Sequence, residues 1–120
     1  MMVSLADSDL RVMNVVWRNG GQATAKQIHA CLSEEAGYSR AATYSLIHRC
    51  IEKGALVREE PGFVCRAAVA QEDVQAQETE RFIERVFDGS AKRLLAALVS
   101  REDVTLDEIE QLRKLVNKKG

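Results

Sequence analysis

Ser39-Arg40-Ala41-Ala42-Thr43-Tyr44-Ser45-Leu46-Ile47-His48-Arg49-Cys50-Ile51-Glu52-Lys53-Gly54 runs straight into Ala55-Leu56-Val57-Arg58-Glu59-Glu60-Pro61-Gly62-Phe63-Val64-Cys65-Arg66-Ala67. The apolar period changes at Gly54. Before it, Thr43, Leu46, Ile47, Cys50 and Ile51 share one helical face, and Ala41, Tyr44, Ser45, His48, Arg49 and Glu52 occupy the opposite arc. Ser39 is a natural N-cap, and Gly54 closes the helix. After Gly54, Ala55–Glu60 reads as a strand, Pro61-Gly62 as a turn and Phe63–Ala67 as the returning strand.

Two helices precede this unit. One is expected over Asp7–Arg18, capped by Ser4 or Asp7, with Leu10, Met13 and Trp17 at helical spacing and Asn19-Gly20-Gly21 ending it. The next starts at the cap candidate Thr24, carries Ile28, Cys31 and Leu32, and stops at Gly37. Three helices followed by a β-hairpin is the order of a winged helix-turn-helix domain.

The rest of the chain reads as helical. Glu72–Phe87 places Val74, Phe82, Ile83, Val86 and Phe87 largely on one stripe, and Asp88-Gly89-Ser90 breaks it. Ala91–Ser100 carries Leu94, Leu95, Leu98 and Val99. Thr105 caps a last helix bearing Leu106, Ile109, Leu112, Leu115 and Val116, with Glu108 completing a capping box. The expected fold is mostly α with a small β-hairpin: a winged helix over residues 1–70 and a helical dimerisation region over 71–120. Helices this few cannot enclose a good core alone. They are expected to bury Phe82, Val86, Leu94, Leu95, Leu98, Ile109, Leu112 and Val116 against a second copy, in a homodimer.

Composition narrows the function. Hydrophobic types are 46% and charged types 29% of 120 residues, which suits a folded soluble chain and excludes a disordered or fibrous one. The longest apolar stretch, Leu94–Val99, is far below the roughly 20 residues of a membrane span, so no membrane insertion is expected. The first residues contain no basic region and no long apolar run, so the cytoplasm is the default location. Cys31, Cys50 and Cys65 are odd in number and widely spaced, which reads as buried thiols rather than a disulfide framework. His29 and His48 stand on separate helices without a carboxylate at metal spacing, so neither a metal nor another cofactor is expected. No nucleophile elbow, phosphate loop or HExxH is present, so no enzyme is expected.

Net charge is −1, so a nucleic-acid partner must be recognised by placed charge rather than bulk attraction. A recognition helix presents short or polar side chains near its N-terminus to the major groove. Ser39, Arg40, Ala41, Tyr44, Ser45 and His48 fit that requirement. Arg40 can reach a phosphate or a guanine edge. Lys26 is a candidate phosphate contact, as are Arg58 and Arg66 on the hairpin strands, although Glu59 and Glu60 repel the DNA backbone there. Arg49, on the flank of the exposed arc, either touches a phosphate or pairs with an acidic residue of the first helix.

Ser4-Leu5-Ala6-Asp7, Val12-Met13-Asn14-Val15-Val16-Trp17 and Ala23-Thr24-Ala25-Lys26-Gln27-Ile28 occur in an order that resembles the penicillinase-repressor family, the BlaI/MecI/CopY type. So do Leu46-Ile47-x-Arg49-x-x-x-Lys53-Gly54-Ala55-Leu56 and the distal Phe82…Phe87-Asp88-Gly89-Ser90…Leu94-Leu95…Leu98 with Glu108-x-x-x-Leu112. The resemblance spans about residues 4–116. It implies a dimeric winged-helix repressor bound to a palindromic operator on double-stranded DNA. It also implies inactivation by a cut in the C-terminal half, signalled by a membrane sensor peptidase. The family's cutting region corresponds to Ala97-Leu98, within Ala91–Asp103. Copper-responsive relatives end in a cysteine-rich hook, whereas no cysteine follows Cys65 here. The family's usual Lys-Thr-Val-Arg-Thr corresponds to Ala41-Ala42-Thr43-Tyr44-Ser45, which lacks both basic residues; Arg40 partly replaces them. Two other readings use the same residues: a winged-helix protein-interaction module without DNA binding, favoured by the acidic hairpin turn, and a small-molecule-sensing regulator, for which no polar cluster on an apolar face speaks.

Overall fold

The computed structural model describes residues 3–119, and the side chains of 112 and 115–119 lie outside that description. The elements are α1 (Asp7–Arg18), β1 (Gln22–Thr24), α2 (Ala25–Ala36), α3 (Arg40–Glu52), β2 (Leu56–Glu59), β3 (Val64–Ala67), α4 (Gln71–Val86), α5 (Ala91–Val99) and α6 (Leu106–Lys119). The strands form one antiparallel sheet in the order β1-β3-β2, with Cys65 opposite Ala23 on one side and Arg58 on the other. The hairpin is therefore part of a three-stranded sheet with β3 in the middle, the third strand being the short segment before α2.

The chain forms two compact units that divide between Gln77 and Glu78, inside α4. In the first, α1 contributes Val12, Met13 and Val16, α2 contributes Ile28 and Leu32, and α3 contributes Ile47 and Cys50, all fully buried with Leu56 and Cys65 of the sheet. Each large apolar side chain so buried contributes about 1.5–3 kcal/mol. Val74 of α4 joins this core. Gln77 donates from Nε2 to the Val3 carbonyl at 3.2 Å, and Trp17 from Nε1 to the Val69 carbonyl at 3.2 Å. These contacts draw the first turns of α4 into the first unit, which is why the division falls beyond Ala70.

Local sequence explains most helix ends. Thr24 accepts from the Gln27 N–H at 3.1 Å while Gln27 accepts from the Thr24 N–H at 2.8 Å, a reciprocal capping box. Ser39 accepts from the Ala42 N–H at 3.1 Å. The start of α1 differs from the expectation: neither Ser4 nor Asp7 caps it. Ala6 occupies the cap position without a side-chain acceptor, and Asp9 accepts the Ala6 N–H at 2.8 Å.

In the second unit, Asp88 (φ 50°) and Gly89 (φ 82°) turn the chain between α4 and α5. Ser90 caps α5 by accepting the Arg93 N–H, and Thr105 and Glu108 form the expected capping box of α6. Phe82 and Phe87 meet edge-on, 5.5 Å apart. Among its described side chains none is fully buried; Leu95 is 60% and Leu106 82% exposed. No helix among the described residues is long and apolar enough to cross a membrane.

Candidate nucleic-acid interface

One carboxylate seats α3 on α1. Asp9 is fully buried. It accepts from Arg49 Nε at 2.7 Å and from Lys53 Nζ, and Arg49 also donates to Ser8 Oγ at 2.7 Å. Burial alone would raise the Asp9 carboxyl; hydrogen bonds from Lys53, the Ala6 N–H and Arg49 outweigh it and hold the group below its ordinary 3.8. Arg49 and Lys53, one turn apart, thus clamp the C-terminal half of α3 to the first helix. Of the two expectations for Arg49, the geometry shows the pairing with α1.

The opposite arc of α3 is open. Arg40, Ala41, Ser45 and His48 are exposed, and Tyr44 is half-buried. Ser39 is exposed too, with its hydroxyl engaged as the helix cap. Lys26 and His29 of α2 line a cleft of about 290 Å³ together with Arg40 and Tyr44 of α3. The Arg40 guanidinium lies 5.1 Å from the centre of the Tyr44 ring. Lys26, Arg40 and Tyr44 are therefore brought together; His29, read from sequence only as a poor metal ligand, belongs with them.

Ion pairing separates the cations of the first unit. Arg18 pairs with Glu35, Arg49 and Lys53 with Asp9, Arg58 with Glu60 and Arg66 with Glu59. Among the described residues Arg11, Lys26 and Arg40 have no carboxylate partner; Lys26 and Arg40 share one cleft, and Arg11 lines a different one with Arg18 and Glu35. The hairpin arginines are held differently. Arg58 donates from Nε to Glu60 at 2.5 Å, and its guanidinium lies 3.6 Å from the centre of the Phe63 ring. Arg66 meets Glu59 at 2.7 Å. Hydrogen bonding from Arg58 holds the Glu60 carboxyl below its ordinary value. Phe63 was not among the residues expected from sequence. Its ring also meets Tyr44 edge-on at 5.6 Å and His48 at 5.8 Å.

Six of the eight expected dimer residues lie in or next to the second unit's uncovered apolar surface. Phe82, Val86, Leu95 and Leu98 are 40, 54, 60 and 41% exposed, and Leu94 and Ile109 are half-buried. Leu112 and Val116 fall outside the described side chains. Ala97 and Leu98 are exposed but sit within helical α5. Among the described residues no group of three His, Cys, Asp or Glu side chains is placed to hold a metal.

The family described as penicillinase repressor matches residues 5–118. The chain belongs to the penicillinase-repressor family. Over 117 residues it is 29% identical to the methicillin resistance regulatory protein MecI of Mammaliicoccus sciuri, covering 96% of this chain and 94% of that one. It is 24% identical to the penicillinase repressor of Staphylococcus aureus, covering 96% and 90%. Two solved structures share the fold at 25% identity, each covering 61% of this chain and 90% of the other. They are the DNA-binding domain of the repressor BlaI (TM-score 0.55) and the monomeric form of Bacillus licheniformis BlaI in complex with the blaP half-operator (TM-score 0.54). The winged-helix assignment follows, and the family is one of repressors, not enzymes.

Proposed function

We propose that this chain is a homodimeric transcriptional repressor that occupies a palindromic operator. The observation that carries the reading is the cleft shared by Lys26 and Arg40, two cations without a carboxylate partner among the described residues, beside Tyr44 at the open start of α3. The solved relative on a half-operator supports it. In this reading α3 enters the major groove, with Arg40, Tyr44, Ser45, Ala41 and His48 toward the base edges and Lys26 and Ser39 toward phosphate. Arg49 acts mainly by seating the helix. Arg58 and Arg66 contribute less, because Glu60 and Glu59 already hold them.

The second unit supplies the dimer. Leu94, Leu98 and Ile109, with Leu112, are the proposed contacts between protomers. The exposed leucines of α5 support this, since a stripe of that kind is rarely left uncovered in solution. Repression is steric, by occlusion of the promoter. Any regulatory cut, in response to a sensor peptidase, is placed at Ala97-Leu98. Because that bond is helical and on the proposed dimer face, α5 must open before it is cut.

The test is a salt titration against a palindromic promoter fragment and a scrambled one, using wild type, Arg40→Ala and Lys118→Ala. If Arg40 reads a base, its loss weakens operator binding by about 1–3 kcal/mol per half-site and relaxes preference at one position. If it touches only phosphate, both fragments weaken alike and the salt slope falls by about 1 per protomer. Lys118→Ala changes neither. A wild type that binds neither fragment at low salt overturns the reading in favour of a protein-interaction module.

A further inference from the structure

We infer that Phe63, at the hairpin turn, is a positioning residue for the base-reading end of α3; the inference rests on the DNA-binding reading above. Its contacts extend to three elements. The ring meets Tyr44 edge-on at 5.6 Å and 88°, and His48 at 5.8 Å. The Arg58 guanidinium covers it at 3.6 Å. The Phe63 carbonyl accepts the Ala25 N–H at 3.0 Å, which ties the turn to the start of α2, the helix that carries Lys26. Its own N–H donates to Glu60 Oε1 at 3.2 Å, and the other oxygen of that carboxylate holds Arg58.

The result is a continuous stack: Arg58 on Phe63, Phe63 against Tyr44, and Arg40 over Tyr44 at 5.1 Å. Each contact is of a favourable kind, cation over ring or edge to face. The stack runs from the paired cation of the hairpin to the unpaired cation of the recognition helix. It restrains Tyr44, and through Tyr44 it restrains Arg40. Phe63 also sits at φ 50°, a left-handed conformation that a bulky residue rarely adopts. Glycine or asparagine would adopt that backbone at lower cost, and neither could supply the ring.

The experiment uses the full-length protein and two duplexes: the sequence that wild type enriches from a random pool, and a scrambled version of it. Phe63→Leu keeps an apolar side chain and both backbone hydrogen bonds but removes the ring. We expect preference for the enriched duplex to fall about tenfold, the loss of a well-aimed base contact. Affinity for the scrambled duplex and the salt slope should stay at wild-type values, because phosphate contacts are untouched. Phe63→Tyr should restore preference. In a Tyr44→Leu background, Phe63→Leu should add no further loss. Thermal unfolding checks each variant, and Phe63→Met replaces Phe63→Leu if the latter does not fold. Wild-type preference in Phe63→Leu, or an equal loss on both duplexes, overturns the positioning role alone. A wild type that enriches no sequence overturns the DNA-binding reading and this inference together.

Discussion

Asp9 shows how a single buried charge is made tolerable. Its carboxylate accepts hydrogen bonds from Lys53, Arg49 and the Ala6 N–H, and neither cation is fully removed from water. Breaking a buried ion pair by removing one partner costs about 3–5 kcal/mol, and the low end applies here because Arg49 and Lys53 keep contact with water. Asp9→Asn should therefore destabilise the first unit by about 2 kcal/mol, and Asp9→Ala by about 3 kcal/mol, measured by urea unfolding. The pH dependence follows from the lowered carboxyl. Its contribution is complete above the ordinary value of 3.8 and is lost as pH falls through the lower folded value. Wild type should lose stability more steeply than Asp9→Asn below about pH 4. A parallel acid response of the two proteins would exclude this role. The thiols give a second test at the same scale. Burial, with the Asp9 charge, pushes Cys50 up to about 12, and burial pushes Cys65 up to about 11. A thiol reagent at neutral pH should modify Cys31, the half-buried one, and reach the other two only on unfolding. Rapid labelling of all three in the native protein would contradict it.

At the scale of elements, α3 depends on its ends and the hairpin on its charges. Ser39 caps α3 through the Ala42 N–H, so Ser39→Ala should cost about 1 kcal/mol in thermal stability. Gly54 leaves α3 at φ 85° with open space around it, so an alanine there is strained by its backbone rather than by a clash. The hairpin arginines are neutralised by the hairpin's own glutamates. Glu59→Gln releases Arg66 from its 2.7 Å pair. If the freed guanidinium reaches phosphate, non-specific DNA affinity should rise and the salt slope should steepen by about 1 per protomer. An unchanged slope would show that this strand faces away from DNA.

At the scale of the molecule, the two units pose different problems. The first buries a complete core. The second leaves Leu95, Leu98 and Val99 at 60, 41 and 41% exposure on one short helix. Leu95→Glu is the informative substitution there. In an isolated chain an exposed position tolerates glutamate at little cost, so a large effect must come from assembly. We predict that Leu95→Glu sediments as a monomer, keeps the thermal transition of the first unit and binds a full palindrome no better than a half-site. A wild type that is monomeric at micromolar concentration would remove the basis of the dimer.

Helix α3, its Ser39 cap and its Gly54 exit, and the Thr24–Gln27 box of α2 were readable from sequence because each depends on residues within about four positions of one another. The order of helices and hairpin, the uncovered stripe of the second half and the family followed from such local signals in sequence order. Other features were settled only by the tertiary structure. β1 is three residues long and exists because β3, some forty positions later, pairs with it. Arg49 had two readings until Asp9, forty residues earlier, came within 2.7 Å. Which cations lack a carboxylate partner, and that the Phe63 ring meets Tyr44, depend on side chains from different elements meeting in space. Periodicity assigns a residue to a face of its own helix or strand. It does not say which charge from another element will be waiting there.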